Sequence, residues 1–255
     1  MRKFSMPRPY PKQVRFMKSR TKYTAYGGSR GGGKSFIARF KGEMLCMRYD
    51  GIQVLFMRRT YPELRENHII PAMRELAGIA EYKGSDKAFE FPNGARLKFG
   101  YCRTDSDLLQ YQGQAYDVIF LEECTLFPEN VFTTMTESNR SSGQMREYFP
   151  PRMYLTCNPG GVGHAWFKRL FIDREYVNQE CEDDYTFIQA TVYDNPWLCA
   201  IARKSARGPQ AGDAVRRLGC IRGTVFPRVP ARNACLRGFS DSGALAEIPR
   251  ARLRL

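Results

Sequence analysis

Residues 23–36 read YTAYGGSRGGGKSF and contain the segment Gly28-Ser-Arg-Gly-Gly-Gly33-Lys34-Ser35. This segment matches the pattern G-x-x-x-x-G-K-[ST] in full. The glycines of that pattern let backbone N–H groups approach an anion closely, because glycine adopts a positive φ without steric cost. The sequence therefore predicts a loop that wraps the phosphates of a nucleotide.

The sequence on either side of the loop supplies the strand and the helix that such a loop needs. Residues 22–26 are rich in β-prone tyrosine and threonine, and apolar residues recur at helical spacing over 36–47. The helix should begin near Lys34 and point the positive end of its dipole at the phosphates. Lys34 is then expected to reach the β- and γ-phosphates, and Ser35 to ligate Mg²⁺. A chance glycine-rich turn is the alternative, and these flanks disfavour it.

Length and composition indicate an α/β protein with a sizeable core. The chain has 255 residues, of which 43% are hydrophobic, which suits one large domain or a domain with an appendage. No apolar run approaches the roughly 18 residues of a membrane span, and the basic N-terminus lacks the apolar segment of a secretory signal. Eight cysteines without a C-x-x-C pair, together with only two histidines, disfavour a zinc site and favour a reduced cytoplasmic setting.

The positive charge is concentrated towards the C-terminus. Residues 201–255 hold 12 Lys+Arg and 3 Asp+Glu, a balance of +9. Since the whole chain carries +14, residues 1–200 carry the remaining +5. A basic excess suits a polyanionic partner such as DNA.

Two acidic residues follow a short apolar run. Residues 118–121 read Val-Ile-Phe-Leu, and Glu122 and Glu123 come next. An apolar strand that ends in acids is typical of a Walker B segment, in which one acid holds Mg²⁺ through its water shell and the next polarises the attacking water. Glu122 is the candidate metal ligand and Glu123 the candidate general base. For the motif taken alone, a solvated pair of glutamates is the alternative.

Other polar residues stand at predicted strand ends. Residues 152–157 predict a strand, and Thr156 and Asn158 would lie at the γ-phosphate edge if that strand is parallel to its neighbours. Arg58 closes another apolar run, where it would touch nucleotide or DNA, with a solvated arginine as the alternative. Asn93-Gly94 between two alternating segments predicts a hairpin. The remaining predicted elements are a helix over 61–76, a helix that begins near His164 and a strand over 184–192.

A short helix is also predicted upstream of the loop, around Gln13 and Phe16. The amide of Gln13 offers a donor and an acceptor together, which match the edge of adenine, and Phe16 would stack on the base. On the residues alone, a surface glutamine is an equally good interpretation.

In this order the segments resemble the ATPase domain of the tailed-phage terminase large subunit, the motor that packages DNA into procapsids. The segments that carry the resemblance are Gln13, GGSRGGGKS (27–35), VIFLEE (118–123), TCNPGGVGH (156–164) and ATVYDNPWL (190–198). They span about residues 8–198. The resemblance implies an α/β fold of the ASCE type of P-loop NTPase, with a mainly parallel central sheet flanked by helices, over residues 1–200.

The resemblance also implies roles for individual residues. Glu123 would be catalytic, Thr156–Asn158 would form the motif that couples hydrolysis to movement, and Arg30 would act on the γ-phosphate as arginine fingers do. Ser35 and Glu122 would hold Mg²⁺. The residues expected to contact ATP are Gln13, Gly28, Ser29, Arg30, Gly31, Gly32, Gly33, Lys34, Ser35, Thr156 and Asn158.

The partners that the resemblance implies are those of a packaging motor. They are double-stranded DNA, a portal protein, a terminase small subunit and further copies of the chain in a ring. The setting would be the host cytoplasm, with no membrane. Two other functions stay open. One is a helicase or another DNA-dependent P-loop ATPase, against which the Asn-Pro-Gly-Gly turn argues. The other is an inactive prophage remnant, which would carry the same loop.

Two features depart from the family pattern. Many members carry aspartate where this chain has Glu122, whose reach is longer. The family also usually continues into a nuclease domain with a cluster of acids, whereas residues 201–255 hold only three acids and eleven arginines to one lysine. The hypothesis is that 201–255 is a basic tail, disordered or shifted in reading frame, so that nuclease activity is not expected. A genuine DNA-binding tail is the alternative.

Overall fold

The computed structural model describes residue 4 and residues 7–29, 31–141 and 145–196, with the side chains at 146 and 192 excepted. Arg30 and the segment 201–255 lie outside the described residues. The helices are α1 (Pro11–Lys18), α2 (Lys34–Arg48), α3 (Tyr61–Leu64), α4 (Ile70–Glu75), α5 (Asp105–Leu108), α6 (Glu129–Ser138), α7 (Met145–Tyr148) and α8 (His164–Lys168). The strands are β1 (Tyr23–Gly28), β2 (Gln53–Arg58), β3 (Glu81–Lys83), β4 (Ala88–Glu90), β5 (Arg96–Tyr101), β6 (Val118–Leu121), β7 (Arg152–Cys157) and β8 (Tyr185–Ala190).

All eight strands form a single sheet in the order β3-β4-β5-β2-β6-β7-β1-β8. Strands β5, β2, β6, β7, β1 and β8 pair in parallel, and only the β3–β4 and β4–β5 pairs are antiparallel. The prediction of a mainly parallel central sheet is therefore confirmed. Strand β7 lies between β1 and β6, so the strand that feeds the loop and the strand that carries the acids flank the strand that ends near Thr156.

The apolar strand runs fill a core on both faces of the sheet. In β2, Leu55 and Phe56 are fully buried and belong to two separate clusters, because successive side chains of a strand point to opposite faces. A parallel sheet covered on both faces needs such runs. Burying a side chain of this size contributes about 1.5–3 kcal/mol, so these strands fix the sheet edge on which the site is built.

Phe16 belongs to this core. It is fully buried, with its ring centroid 5.1 Å from that of Tyr26 and 5.6 Å from that of Tyr154. The expectation that Phe16 stacks on a nucleotide base is therefore wrong. Helix α1 packs against the sheet, and the apolar ring is used for that contact.

The helix predicted over 61–76 is present, with an interruption in its middle. A π-helical turn, Arg65–Ile69, separates α3 from α4. A π turn changes the angular position of the residues that follow it, and such turns are frequent at functional sites. This segment is fixed to α2 by Arg39, whose Nε and Nη2 atoms each donate a 2.8 Å hydrogen bond to the carboxylate of Glu75.

The hairpin predicted at Asn93-Gly94 joins β4 to β5 in antiparallel register, with Glu90 opposite Arg96. Gly94 has a φ of 77°, which explains the glycine at the turn. The hairpin extends the sheet on the side away from the phosphate loop. None of the helices in the described part of the chain has the length and apolar character needed to cross a bilayer.

Candidate functional site

The glycine-rich loop connects β1 to α2, and α2 begins at Lys34 as predicted. Gly33 precedes the helix with a φ of 69°, in the left-handed region that glycine adopts without penalty. Because α2 is 15 residues long, its N-terminus presents a full helix dipole at the end of the loop. Local geometry therefore has the two features of an anion site, a tight glycine turn and the start of a helix.

Lys34 lies across the mouth of this loop. Its Nζ atom donates one hydrogen bond of 2.6 Å to the carbonyl of Ser29 and another of 2.9 Å to Oδ1 of Asn158. Only 8% of the residue is exposed. The ammonium group is thus held between the loop and the end of β7. The sequence predicts that the terminal phosphates of a nucleotide bind at this position.

Strand β7 is parallel to both of its neighbours, which places Thr156 and Asn158 at the same edge of the sheet as the end of β1. The hydroxyl of Thr156 accepts a 3.0 Å hydrogen bond from the backbone N–H of Glu123. The backbone carbonyl of Asn158 accepts a 2.8 Å hydrogen bond from the hydroxyl of Thr125. The end of β7 is therefore bonded to the acidic segment on one side and to the lysine of the loop on the other.

Glu122 is the most enclosed member of the acidic pair, with 1% of its surface exposed. Its Oε2 atom forms an ion pair with Arg58 and lies 3.1 Å from Nε2 of His68. Burial alone would raise the pKa of this carboxyl. The contact with His68, the positive charge of Arg58 and the hydroxyl of Ser35 outweigh burial and lower the pKa to about 2. Glu122 is therefore a carboxylate at neutral pH.

Glu123 differs from its neighbour in backbone conformation and in the direction of its pKa shift. Its φ of 53° and ψ of 49° are left-handed, which is uncommon for a residue other than glycine. Its side chain is 29% exposed, and Oε2 lies 3.2 Å from Nη2 of Arg58. Burial raises the pKa of the Glu123 carboxyl, and the charge of Arg58 offsets only part of this effect. Two adjacent carboxyls thus have pKa values shifted in opposite directions.

Arg58 is neither solvated nor placed as a free contact for nucleotide or DNA. It is 7% exposed and pairs with Glu122, Glu123 and Glu63. The solvated alternative is therefore wrong for Arg58, because the end of β2 lies next to the end of β6. Sequence reasoning placed Arg58 at the correct sheet edge but missed that it would neutralise the acids.

Gln13 is buried beside the loop, and the surface interpretation is wrong for it. Only 3% of Gln13 is exposed. Its Nε2 atom lies within 3.4 Å of the carbonyl of Gly33, to which it donates, and its Oε1 atom accepts a 2.9 Å hydrogen bond from the N–H of Tyr10. The amide thus contacts the loop itself.

Two functional neighbours of the site were missed from sequence. His68 gave no spacing signal, since a lone histidine within a predicted helix is common. In the sequence, Asn195 was considered only as part of the segment 190–198, but its Nδ2 atom donates a 2.8 Å hydrogen bond to the carbonyl of Gly31 in the loop.

Two oxygen atoms of the kind that Mg²⁺ prefers lie close together beside the loop. Oε1 of Glu122 is buried without a hydrogen-bond partner among the described residues, and the hydroxyl of Ser35 is close enough to Glu122 to lower its pKa. A buried carboxylate oxygen and a hydroxyl are hard oxygen ligands. The described residues contain no group of three or more histidine, cysteine or carboxylate side chains that could hold a metal ion alone. An ion held by these two groups would need further oxygen ligands, from water or from a bound anion.

Solved structures with a similar fold are phage terminases. The large terminase of a thermophilic bacteriophage in complex with ADP is 22% identical, with a TM-score of 0.60, and the match covers 79% of this chain and 51% of that one. The ATPase domain of the Thermus phage P74-26 large terminase is 13% identical, with a TM-score of 0.57 and coverage of 84% and 94%. The bacteriophage HK97 large terminase is 12% identical, with a TM-score of 0.54 and coverage of 84% and 50%.

These structural matches show that the fold is that of the P-loop ATPase domain of terminases. The chain spans about half the length of the full-length large terminases that it matches. A comparison with curated protein sequences found no match. The model of the family described as phage terminase large subunit matches residues 20–216, which is well over half of the sequence. This chain therefore belongs to the phage terminase large subunit family.

Proposed function

We propose that this chain hydrolyses ATP with Mg²⁺ and that it is the motor domain of a terminase large subunit, which drives double-stranded DNA into a procapsid. The observation that carries the proposal is the meeting of Lys34, the Glu122–Glu123 pair and Asn158 at one edge of the sheet. A large terminase of the same fold has been solved with ADP, which supports a nucleotide as the ligand.

Ser35 and Glu122 would hold Mg²⁺, and the full negative charge of Glu122 suits that role. When bound, the ion supplies positive charge that neutralises the oxygens of the transferring phosphate. Lys34 would contribute further positive charge at the β- and γ-phosphates. Arg30, which lies outside the described residues, is proposed to act on the γ-phosphate. Gln13 and residues 28–33 would contact the nucleotide from the loop side.

Glu123 is the proposed general base, which accepts a proton from the attacking water. A base works best when its pKa approaches the operating pH, and burial shifts the pKa of Glu123 in that direction. The hydrogen bond from its N–H to Thr156 and the contact with Arg58 restrict where the carboxylate can point. Such restriction is the main protein contribution in phosphoryl transfer.

Thr156 and Asn158 are the proposed coupling residues. Asn158 contacts the loop through Lys34, and Thr156 contacts the base through the backbone of Glu123. A change at the γ-phosphate that moves Lys34 would therefore be transmitted to Asn158 and to the segment that follows β7.

The wider assembly is proposed from family membership. The partners would be double-stranded DNA, a portal protein, a small subunit and other copies of the chain in a ring, in the host cytoplasm. Residues 1–200 would form the ATPase domain and 201–255 a basic tail. The family match ends inside that tail, at residue 216. A prophage remnant and another DNA-dependent ATPase are the alternatives that the experiment below separates.

The first test is the thermal unfolding of the full chain with and without Mg²⁺–ATP. A ligand at 100 times its dissociation constant adds roughly 2.7 kcal/mol to stability. We expect a clear rise in Tm for the wild type, no rise for Lys34→Ala, and a wild-type rise for Lys83→Ala, which changes a half-buried lysine on β3 at the opposite end of the sheet. No rise in the wild type would contradict nucleotide binding and favour an inactive remnant.

The second test is ATP hydrolysis with and without double-stranded DNA. Stimulation by duplex DNA without strand separation is expected of a packaging motor. Strand separation would favour a helicase and contradict the proposed role.

A further inference from the structure

The carbonyl groups of the phosphate loop are held by donors from three other segments. Nδ2 of Asn195 donates a 2.8 Å hydrogen bond to the carbonyl of Gly31. The carbonyl of Gly33 accepts from Gln13 in α1, and that of Gly32 accepts from the hydroxyl of Tyr26 in β1, each at 3.4 Å. The bond from Asn195 is the shortest of the three.

These contacts determine where the loop N–H groups point. In a trans peptide, the carbonyl and the following N–H point in opposite directions. Since the carbonyl of Gly31 faces Asn195, the N–H of Gly32 faces the other side of the loop. Gly31 and Gly33 have φ values of 85° and 69°, whereas Gly32 between them is not left-handed. Alternation of this kind makes a concave row of N–H groups that binds anions.

Asn195 itself sits in a braced turn. Oδ2 of its neighbour Asp194 accepts hydrogen bonds from the N–H of Thr191 at 2.7 Å and from the Thr191 hydroxyl at 2.8 Å. The same oxygen forms a 2.8 Å ion pair with Lys12 in α1. At the start of the turn, the carbonyl of Ala190 accepts a 3.0 Å bond from the N–H of Ser29. The turn is thus tied to both sides of the loop.

We infer that Asn195 is a positioning residue for the phosphate loop. Its amide fixes the orientation of the Gly31–Gly32 peptide. The Gly32 N–H therefore faces the phosphate-binding side of the loop even when no nucleotide is bound. The turn after β8 therefore sets the preference of the site for nucleoside di- and triphosphates over monophosphates. The reason is that the loop N–H groups donate hydrogen bonds to the terminal phosphates, which a monophosphate lacks. Preorganisation of this kind raises affinity by removing an ordering cost. This inference rests on the proposed function.

The test compares ADP and AMP binding to the full chain by competition against a fluorescent ADP analogue, with Mg²⁺ present. A neutral hydrogen bond is worth about 0.5–1.5 kcal/mol, so Asn195→Ala should weaken ADP binding by about 2- to 12-fold while AMP binding changes little. Asn195→Asp keeps the shape, loses the donor and adds a negative charge, and should weaken ADP binding further. Tyr193→Ala, in the same turn and 76% exposed in the wild type, is the matched control and should bind both like the wild type.

The outcomes separate this inference from the proposed function. Failure of the wild type to bind ADP would overturn both. Unchanged ADP affinity in Asn195→Ala and Asn195→Asp, with a wild type that binds normally, would overturn only the role of Asn195. Equal weakening of ADP and AMP would also overturn it, because a general structural role would not discriminate between them. Thermal unfolding without nucleotide identifies a variant that has lost its fold. If Asn195→Ala is such a variant, the comparison of ADP with AMP rests on the isosteric variant Asn195→Asp.

Discussion

Lys34 donates a 2.9 Å hydrogen bond to Oδ1 of Asn158, a residue 124 positions further along the chain. The bond joins the phosphate loop to the end of a different strand, β7. It is a direct side-chain contact between two motifs that are far apart in the sequence. The position of the lysine therefore depends on the parallel pairing of β7 with β1.

Asn158→Ala should slow ATP hydrolysis more than it weakens ADP binding. Without the amide, Lys34 retains the bond to Ser29 but is no longer held to the end of β7. Misplacement of a catalytic group by about 1 Å can cost about 10²-fold in rate. Single-turnover hydrolysis and ADP titration measure the two effects. Asn130→Ala, an exposed change on α6, serves as the control. Equal losses in binding and rate would contradict the role assigned to Asn158.

Glu122 should make the stability of the chain acid-sensitive in a defined window. Its pKa in the folded chain is about 2, against about 4.5 for the free group. A lowered folded pKa gives stability that is present above pH 4.5 and is lost as the pH falls towards 2. The shift corresponds to roughly 3 kcal/mol.

Urea unfolding between pH 2 and pH 6, without nucleotide or Mg²⁺, tests this expectation. Glu122→Gln should flatten the dependence of the unfolding free energy on pH in that window. Glu123→Gln is the contrasting variant, because the raised pKa of Glu123 contributes stability that is lost as the pH rises. Its removal should leave the acid-induced loss in place or steepen it. A wild-type profile in Glu122→Gln would show that Glu122 is not the group responsible.

His68→Ala should affect both stability and the requirement for Mg²⁺. The imidazole is fully buried, its ring centroid lies 4.4 Å from that of Phe56, and its Nε2 atom lies 3.1 Å from Glu122. Removing the ring should cost about 2–4 kcal/mol in the free energy of unfolding. It should also raise the Mg²⁺ concentration needed for half-maximal hydrolysis, because Glu122 loses a restraint.

His68→Gln is the matched variant, since its amide N–H has a reach similar to that of Nε2. We expect it to recover most of the wild-type Mg²⁺ dependence while recovering only part of the stability. Urea unfolding and Mg²⁺ titration give the two values. If both variants need the same Mg²⁺ concentration as the wild type, His68 has a packing role only.

Gly28→Ala should prevent the loop from closing against β8. A Cβ atom at position 28 would lie 2.0 Å from the carbonyl oxygen of Ala190, and the φ of 146° is unfavourable for other residues. We expect a loss of about 1–3 kcal/mol in stability and a loss of ADP binding. Gly84→Ala, where an added Cβ meets nothing within 4 Å, is the control for a glycine-to-alanine change. Wild-type ADP affinity in Gly28→Ala would contradict this account of the loop.

The predictions from sequence succeeded where a local rule applied. The loop pattern located the start of α2 at Lys34, the Asn93-Gly94 turn located the hairpin, and apolar runs located the parallel strands. These features depend on residues close together in the chain. The parallel pairing of β7 brings Thr156 and Asn158 to the expected sheet edge, while their contact with the γ-phosphate stays a prediction.

The contacts that tune the site could not be obtained in this way. The pairing of Arg58 with Glu122 depends on the order of strands in the sheet, which spacing does not specify. His68 faces Glu122 from a π turn, and no local sequence pattern predicts that turn. The role of Phe16 was also predicted wrongly, because the sequence does not show which face of α1 packs against the sheet. A phenylalanine near a binding loop can contact either the base or the core.

The left-handed backbone at Glu123 implies a trade-off between the thermal stability of the domain and its rate of ATP hydrolysis. A residue other than glycine held there costs on the order of 1–3 kcal/mol, which the surrounding fold must absorb. A library randomised at position 123 and selected only for heat tolerance should therefore yield glycine or asparagine, and the survivors should have lost hydrolysis. The most heat-stable variant at this position would therefore be inactive in ATP hydrolysis.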